Sequence, residues 1–527
     1  MSSATSVAVP ELVREAMAVY TDDPIGRDVL EAYARRLDEP LRVAIVGMVK
    51  AGKSTLLNAI IGEEIAPTDT AECTRIVTWY RYADTPRVTL HPVTGEPEEL
   101  PIRRIDGRLL LDIGDARAED VDRLVVDWPS KSLRNITLID TPGIASLSED
   151  VSARSIRFLT PEDAPSEADA IVYLLRHMHA SDLNFLESFR DTTAGQSGTV
   201  NALAVLSRAD EVGAGRIDSL LSARTIAERY RNDDRMRALT LGVVPVAGLL
   251  AQSARSLRET EYSALVELAR LDRTDRERLF VSVDRFVRGE EPVSVSPEVR
   301  MALLERFGLF GVRLATALLR GGIPDSTVLS RELARRSGLD ELLRLIAAQF
   351  HARASQLKAR AALVAVDTLL RERPRPGTEE LSASIERIQS SAHEFREMRM
   401  LATARTTGLA LSAELTAEAE RIVGGSGLDL PHRLGLPDSV SADELRGAAL
   451  EHLRRWRSLA ENPLTDSVAG EACRVVVRSC EAAFTELQAS SDRRNTVRLV
   501  LRPEPVAGSG EHTDDERHDS EHQLHDQ

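Results

Sequence analysis

A chain of 527 residues exceeds one ordinary hydrophobic core, so two or three domains are expected. Its 83 acidic residues outnumber 67 basic ones, and a net charge of −16 argues against broad nucleic-acid binding and confines any contact with anionic lipid to a local patch. Cys73, Cys473 and Cys480 are too few and too scattered for a disulfide framework or a zinc site, which fits a reducing cytosol, and the first residues lack the basic-then-apolar pattern of a secretory signal.

Residues 9–38 carry Val13, Met17, Val29, Leu30, Tyr33 and Leu37 at helical spacing, interrupted at Asp23-Pro24, and predict two helices. From 42 to about 320 strands alternate with helices, which predicts an α/β domain on a mixed, mostly parallel sheet. Strands are expected at 42–46, 76–82, 87–91, 123–128, 135–140, 170–175, 202–207 and 241–246. The longest uncharged run, 238–254, contains Gly242, Pro245 and Gly248 and reads as strand and loop, not as a membrane span. Beyond about 325 the strand signals thin out. Segments 331–370, 379–401, 411–423, 442–460 and 468–489 read as long amphipathic helices of an elongated all-α bundle. Turns are expected at Arg373-Pro374-Arg375-Pro376-Gly377 and at Gly424-Gly425-Ser426-Gly427. From 507 almost no apolar residue remains, so this stretch reads as a disordered acidic tail whose histidines are solvated. The chain thus divides into N-terminal helices packing with the bundle (1–40), an α/β domain (41–324), a helical bundle (325–505) and the tail (506–527).

The most specific stretch is Gly47-Met48-Val49-Lys50-Ala51-Gly52-Lys53-Ser54-Thr55, which fits GxxxxGK[ST] between an expected strand and an expected helix. Such a loop aims backbone N–H groups and a helix N-terminus at one spot, with Lys53 reaching the β/γ-phosphates and the Ser54 hydroxyl binding Mg²⁺. The chain has only four lysines, Lys50, Lys53, Lys131 and Lys358, and two of them lie in this loop. Further on, Ile136 to Gly143 reads I-T-L-I-D-T-P-G: Asp140 can hold Mg²⁺ through water and Gly143 can offer its N–H to the γ-phosphate. Then Leu203 to Asp210 reads L-A-V-L-S-R-A-D, a form of the guanine-reading [NT]-K-x-D. The Asp210 carboxylate can accept both N1–H and N2–H of guanine, a donor pair that adenine lacks.

Two departures bear on the base. Arg208 stands where lysine is usual and can stack on the base through its guanidinium, while Ser207 keeps only a hydroxyl where Asn or Thr is usual. Ala247-Gly248, after the last strand, can supply backbone N–H to the base carbonyl. Between Ser54 and Asp140 lie 140 − 54 = 86 positions, roughly twice what a minimal doubly wound switch domain uses, and the excess is strand-like. Within it, residues 67–75 (PTDTAECTR) read as a loop in which Thr74, or secondarily Thr70, closes on Mg²⁺ and the γ-phosphate, with Cys73 a small packed neighbour.

These stretches, KAGKST, APTDTAECTRIVTWYRY, IDTPGIAS and VLSRAD, resemble those of the bacterial dynamin-like large GTPases. DEVGAGRIDSLLSA, VVPVAGLLA, SVDRFVR, ERFGLFGVR and IVGGSG are similar to the isoniazid-inducible dynamin-like proteins of mycobacteria, nearer their shorter, C-type partner, over roughly residues 20–490. The resemblance implies a GTPase head on a helical neck and trunk, Mg²⁺-dependent GTP hydrolysis, nucleotide-dependent homodimerisation through the heads, and work at membranes. It also implies a second dynamin-like protein as partner and a cytoplasmic location, peripheral at the inner face of the cell membrane.

Small GTPases orient the attacking water with a glutamine after the second-switch glycine; here that position is Ile144, which cannot hydrogen-bond water. Lys50 occupies the position at which guanylate-binding relatives carry a cis-acting arginine, so it is either a cation for the β–γ bridging oxygen or a solvated loop residue. Thr74 can orient water through its carbonyl. For lipid contact, Arg371, Arg373 and Arg375 could touch anionic headgroups at about 1 kcal/mol each, or form a solvated helix end. Phe307-Gly308-Leu309-Phe310 is an apolar alternative whose helical continuation suggests packing on the head. Two further readings stay open: a nucleotide-regulated scaffold without remodelling activity, and a relative that uses ATP.

Overall fold

The computed structural model describes residues 4–67, 75–105, 108–114, 116–143, 159, 166–189, 201–213, 215–288 and 293–500. Thr70, Cys73, Thr74, Ile144 and the tail 506–527 lie outside the described residues.

Two helices come first, α1 (Ala4–Val19) and α2 (Pro24–Asp38). The break between them is chemical: the Asp23 carboxylate accepts from the Gly26 N–H at 3.2 Å, and Pro24 opens α2 where no N–H is needed. The α/β part then runs β1 (Leu41–Gly47), α3 (Lys53–Ile61), β2 (Val77–Tyr82), β3 (Arg87–Pro92), β4 (Glu98–Leu100), β5 (Arg103–Ile105), β6 (Arg108–Leu110), β7 (Val121–Trp128) and β8 (Ile136–Asp140). It continues with β9 (Ala170–Leu175), α4 (Ala180–Phe189), β10 (Ala202–Ser207), α5 (Ser219–Arg231), α6 (Asp234–Leu239) and β11 (Val243–Val246). Helices α7 (Gly248–Arg255), α8 (Glu259–Arg270), α9 (Arg273–Leu279), α10 (Val283–Arg288) and α11 (Pro297–Arg320) follow.

Among the described residues β5 and β6 pair only with each other, and the other strands form one sheet in the order β11-β10-β9-β1-β8-β2-β7-β3-β4. β8, β1, β9, β10 and β11 are mutually parallel. β2 joins β8 antiparallel, β7 pairs parallel with β2, and β3 closes antiparallel on β7. The long insertion before Asp140 therefore extends one edge of the sheet. β9 and β10 are buried along their whole length, as parallel strands covered on both faces are. Alternation in β1 shows the two layers: Leu41, Val43 and Ile45 pack with Leu56 and Leu57 of α3, while Ala44 and Val46 pack with Tyr173 and Leu183. Each of the Val, Leu and Ile side chains contributes roughly 1.5–3 kcal/mol by leaving water.

The first of these cores does not stop at the sheet. It runs on through Leu339, Leu342, Phe350, Leu401, Trp456 and Val476 of the helices that follow. These are α12 (Ser326–Arg336), α13 (Leu339–Leu345), α14 (Ala354–Glu372), α15 (Thr378–Ser391), α16 (His393–Thr406), α17 (Ala413–Ile422), α18 (Leu430–Leu434), α19 (Ala442–Glu461) and α20 (Ser467–Val500). α1 and α2 lie against this bundle, with Val9, Leu12 and Tyr20 packed among Leu363, Val366 and Phe395. At the foot of the sheet Arg36 of α2 meets Asp169 at 2.7 Å, both side chains buried, and the second Asp169 oxygen accepts the Arg42 N–H at 2.8 Å.

Several expectations are corrected. The helix expected over 331–370 is broken at Ser337-Gly338, where Gly338 turns left-handed (φ +86°), and a π-turn at Ile346–Phe350 precedes α14. The helix expected over 379–401 divides at Ala392, which is extended (ψ 118°). The basic cluster at the Pro-Gly turn is ion-paired within the chain. Arg371 pairs with Asp367 of its own helix at 3.0 Å, while the α1–α2 turn folds against the other two: Arg373 pairs with Asp23 at 2.7 Å, and Arg375 pairs with Asp22 while stacking on Tyr20. Phe307 and Phe310, by contrast, pack on the head as their helical continuation suggested, buried with Leu250 and Ala254 of α7. No described helix is long and apolar enough to cross a membrane.

Candidate functional site

The loop between β1 and α3 lies where the parallel strands β8, β1, β9 and β10 end, the edge at which open α/β sheets bind ligands. Its lysine is already in place: Lys53 Nζ donates to the carbonyls of Gly47 at 3.1 Å and Met48 at 3.3 Å. Burial lowers the Lys53 pKa, opposed by the nearby Asp140 carboxylate. Ser54 Oγ donates to Asp140 Oδ2 at 2.8 Å. Burial raises the Asp140 pKa against the pull of Lys53 and Ser54, and its other oxygen, Oδ1, is buried without a hydrogen-bond partner.

That orphaned oxygen tests the fit for Mg²⁺. A hard cation with oxygen ligands and waters suits a serine hydroxyl beside a carboxylate whose second oxygen is unused. Ser54 and Asp140 would hold it, and Thr74 lies outside the described residues. Thr141 Oγ1 donates to the Ile45 carbonyl at 2.9 Å and so ties the segment after β8 back to β1. Gly143 then lies flat on the phosphate loop: a Cβ there would stand 2.6 Å from Val49 Cγ2 and 2.9 Å from its Cα. Only glycine permits that approach.

A pocket opens behind the loop, lined by Gly52, Thr55, Leu174, Ser207, Asp210 and Gly248 among others. Burial raises the Asp210 pKa, with Glu211 adding to the shift and Arg208 opposing it. Ser207 donates its hydroxyl to the Leu175 carbonyl at 3.1 Å, so only its lone pairs face other duties. Arg208 adopts left-handed backbone (φ +51°) and donates to Glu211 at 2.7 Å and to the Lys50 carbonyl at 3.1 Å. Lys50 itself is exposed and also left-handed, at φ +63°. The role expected of Ala247 is corrected: its N–H donates to the Ser337 carbonyl at 2.8 Å and is not available to a base, whereas Gly248 does line the pocket.

The structure thus gathers Gly47, Lys53, Ser54, Asp140 and Gly143 at one place, with Ala51, Gly52, Thr55, Ser207, Arg208, Asp210 and Gly248 around the adjoining pocket. Sequence reading missed three residues. Asn58 pins the chain leaving α3, accepting from Ile65 and Ala66 N–H at 3.0 and 2.8 Å and donating to the Ala66 carbonyl at 3.0 Å. Glu211 and Arg176 flank Arg208, joined to each other at 2.7 Å. Neither has a local motif; Glu211 lies three residues after Arg208, and Arg176 joins them because β9 and β10 pair.

Strand, glycine loop, helix and a carboxylate-tipped neighbouring strand on a mostly parallel sheet define a phosphate-loop domain, here continuous with a helical bundle. Residues 43–193 match the Dynamin family. Isoniazid-induced protein IniC of Mycobacterium tuberculosis is 42% identical over 491 residues, which cover 92% of this chain and 99% of the relative. The bacterial dynamin-like protein of Nostoc punctiforme is 26% identical over 279 residues, 49% of this chain and 38% of that protein. Isoniazid-induced protein IniA of Mycobacterium tuberculosis is 28% identical over 167 residues, 30% of this chain and 26% of the relative. The chain belongs to the dynamin family.

Proposed function

We propose that this chain is a dynamin-like GTPase in which Lys53 holds the phosphates of GTP while Ser54 and Asp140 hold its Mg²⁺. The observation that carries the reading is Asp140: one oxygen is bonded to Ser54 at 2.8 Å and the other is buried and unpartnered beside Lys53. When bound, Mg²⁺ supplies charge neutralisation at the phosphates. Lys50 supplies the cation at the β–γ bridge, Gly143 donates its N–H to the γ-phosphate, and Thr74 orients water. Asp210 reads the base, and Arg208 stacks on it. Calorimetric titration of the full chain with GTP and with ATP, each with MgCl₂, tests this, and failure to bind either nucleotide overturns it.

A second reading, ATP use, draws support from the pocket itself. The Ser207 hydroxyl and the Ala247 N–H are both spent on the protein, which leaves Asp210 with fewer helpers in reading guanine. Tighter binding of ATP than of GTP selects it.

Family membership further supports homodimerisation through the heads, bundle movement driven by hydrolysis, and membrane remodelling at the inner face of the cell membrane, with a second dynamin-like protein as partner. Liposome co-sedimentation with a tubulation assay separates this from a scaffold: lipid binding without change of shape selects the scaffold.

A further inference from the structure

Among the described residues only Lys50, Arg208 and Ala410 are non-glycine residues with left-handed backbone, and two of them are bonded to each other. Such a conformation costs of order 1 kcal/mol or more per residue and persists where the surroundings over-determine it. Here the surroundings form a chain of hydrogen bonds. Arg176 follows the last residue of β9 and donates to Glu211 Oε2 at 2.7 Å. Glu211 Oε1 accepts from Arg208 NH1 at 2.7 Å, and Arg208 NH2 reaches the Lys50 carbonyl at 3.1 Å. Arg208 and Glu211 both line the pocket behind the phosphate loop.

We propose that Glu211, steadied by Arg176, is a positioning residue: it fixes the Arg208 guanidinium so that one planar group walls the base pocket and holds the phosphate loop at Lys50. A lone arginine side chain keeps many rotamers, and ordering it costs part of any contact it makes with a base. Glu211 lowers that cost before nucleotide arrives. It uses both carboxylate oxygens, one for each arginine, so the guanidinium is held at its NH1 edge by Glu211 and at NH2 by the loop. A base entering the pocket meets a preset face, and the Lys50 carbonyl is held in register with it. This rests on the reading of the pocket as a nucleotide-base site.

The three side chains are 39 to 50% exposed, so each pair is worth little alone and the effect is modest. The test is a double-mutant cycle on the full chain, titrated calorimetrically with a non-hydrolysable analogue of whichever nucleotide the wild type binds. Glu211→Ala is expected to weaken binding about fivefold, with Glu211→Gln between it and wild type. The loss is expected to shrink at 1 M salt, where exposed pairs are screened. In the Arg208→Ala background the same Glu211→Ala change is expected to do nothing, because Glu211 acts through Arg208. Additive losses overturn the proposal, as does unchanged affinity in Glu211→Ala. Arg176→Ala, which leaves the pocket lining intact, gives the same test should Glu211→Ala fold poorly; no loss there overturns the role of Arg176. A wild type that binds neither GTP nor ATP refutes the nucleotide reading instead.

Discussion

The backbone N–H of Ala247 donates to the carbonyl of Ser337 at 2.8 Å, joining the edge of the candidate base pocket to the first break in the helices that lead into the bundle. The next residue, Gly338, is held so close to β11 that a Cβ on it would stand 2.1 Å from the Pro245 carbonyl oxygen. Head and bundle meet here through backbone contacts, which leave little room for adjustment.

Gly338→Ala is therefore expected to cost more than its left-handed backbone alone would, at least about 3 kcal/mol, and to weaken nucleotide binding by shifting Ala247 and Gly248. Gly377→Ala is the control: φ is +89° there too, but nothing lies within 4 Å of the added carbon, so about 1 kcal/mol is expected. Denaturant melts of both variants check the difference. Equal losses would show that the Pro245 contact is relaxed at no cost.

Lys53→Ala is expected to weaken nucleotide binding by about 100-fold, the worth of charge-assisted hydrogen bonds near 3 kcal/mol. Lys50→Ala is expected to leave binding within a few-fold and to lower turnover by about 100-fold, as loss of a transition-state donor does. Steady-state hydrolysis alongside calorimetry separates the two. Unchanged turnover in Lys50→Ala makes Lys50 a solvated loop residue.

Arg36 and Asp169 form a pair whose side chains are 4% and 0% exposed. Asp169→Ala strands the Arg36 charge and deprives the Arg42 N–H of its acceptor, so a loss of about 3–5 kcal/mol is expected. Arg36→Met with Asp169→Leu is expected to lose less than Asp169→Ala alone, since neither charge is left buried. Thermal melts rank the variants, and a double variant worse than the single would contradict this account.

Glu397 of α16 is buried, which by itself raises its pKa, yet His393, Arg433 and Ser479 together hold it below the ordinary value. Ser479 donates to it at 2.6 Å and Arg433 at 2.8 Å. With the folded-state value depressed, its stabilising effect is present above the unfolded value, near 4.5, and is lost as pH falls through the folded value. Stability is expected to drop below about pH 4.5 with a slope that Glu397→Gln reduces. Melts at a series of pH values in both proteins check it, and parallel curves would assign the acid loss elsewhere.

Local chemistry made much of this molecule legible. The run Arg42 to Val46 is apolar enough for a buried strand, Gly47 to Thr55 has the spacing of a phosphate loop, and Ile136 to Gly143 has the carboxylate its partner strand presents to Ser54. These depend on the backbone conformations and side chains of adjacent residues, and adjacent residues are what a sequence displays. The α/β head and the helical bundle were legible for the same reason, since hydrophobic periods of two and 3.6 are local signals.

What only the tertiary structure decided are contacts between residues far apart in the chain. Periodicity ran through Ser337-Gly338 without a stop, because the helix breaks there to accommodate the Pro245 carbonyl, a neighbour that no window around Gly338 contains. Arg373 and Arg375 have partners because the turn between α1 and α2 folds beside them and supplies Asp22 and Asp23. Ala247 looked like a donor to a base until Ser337 took its N–H. A hydrogen bond or ion pair is fixed by distance in space, and sequence fixes distance only over the few residues that one element spans.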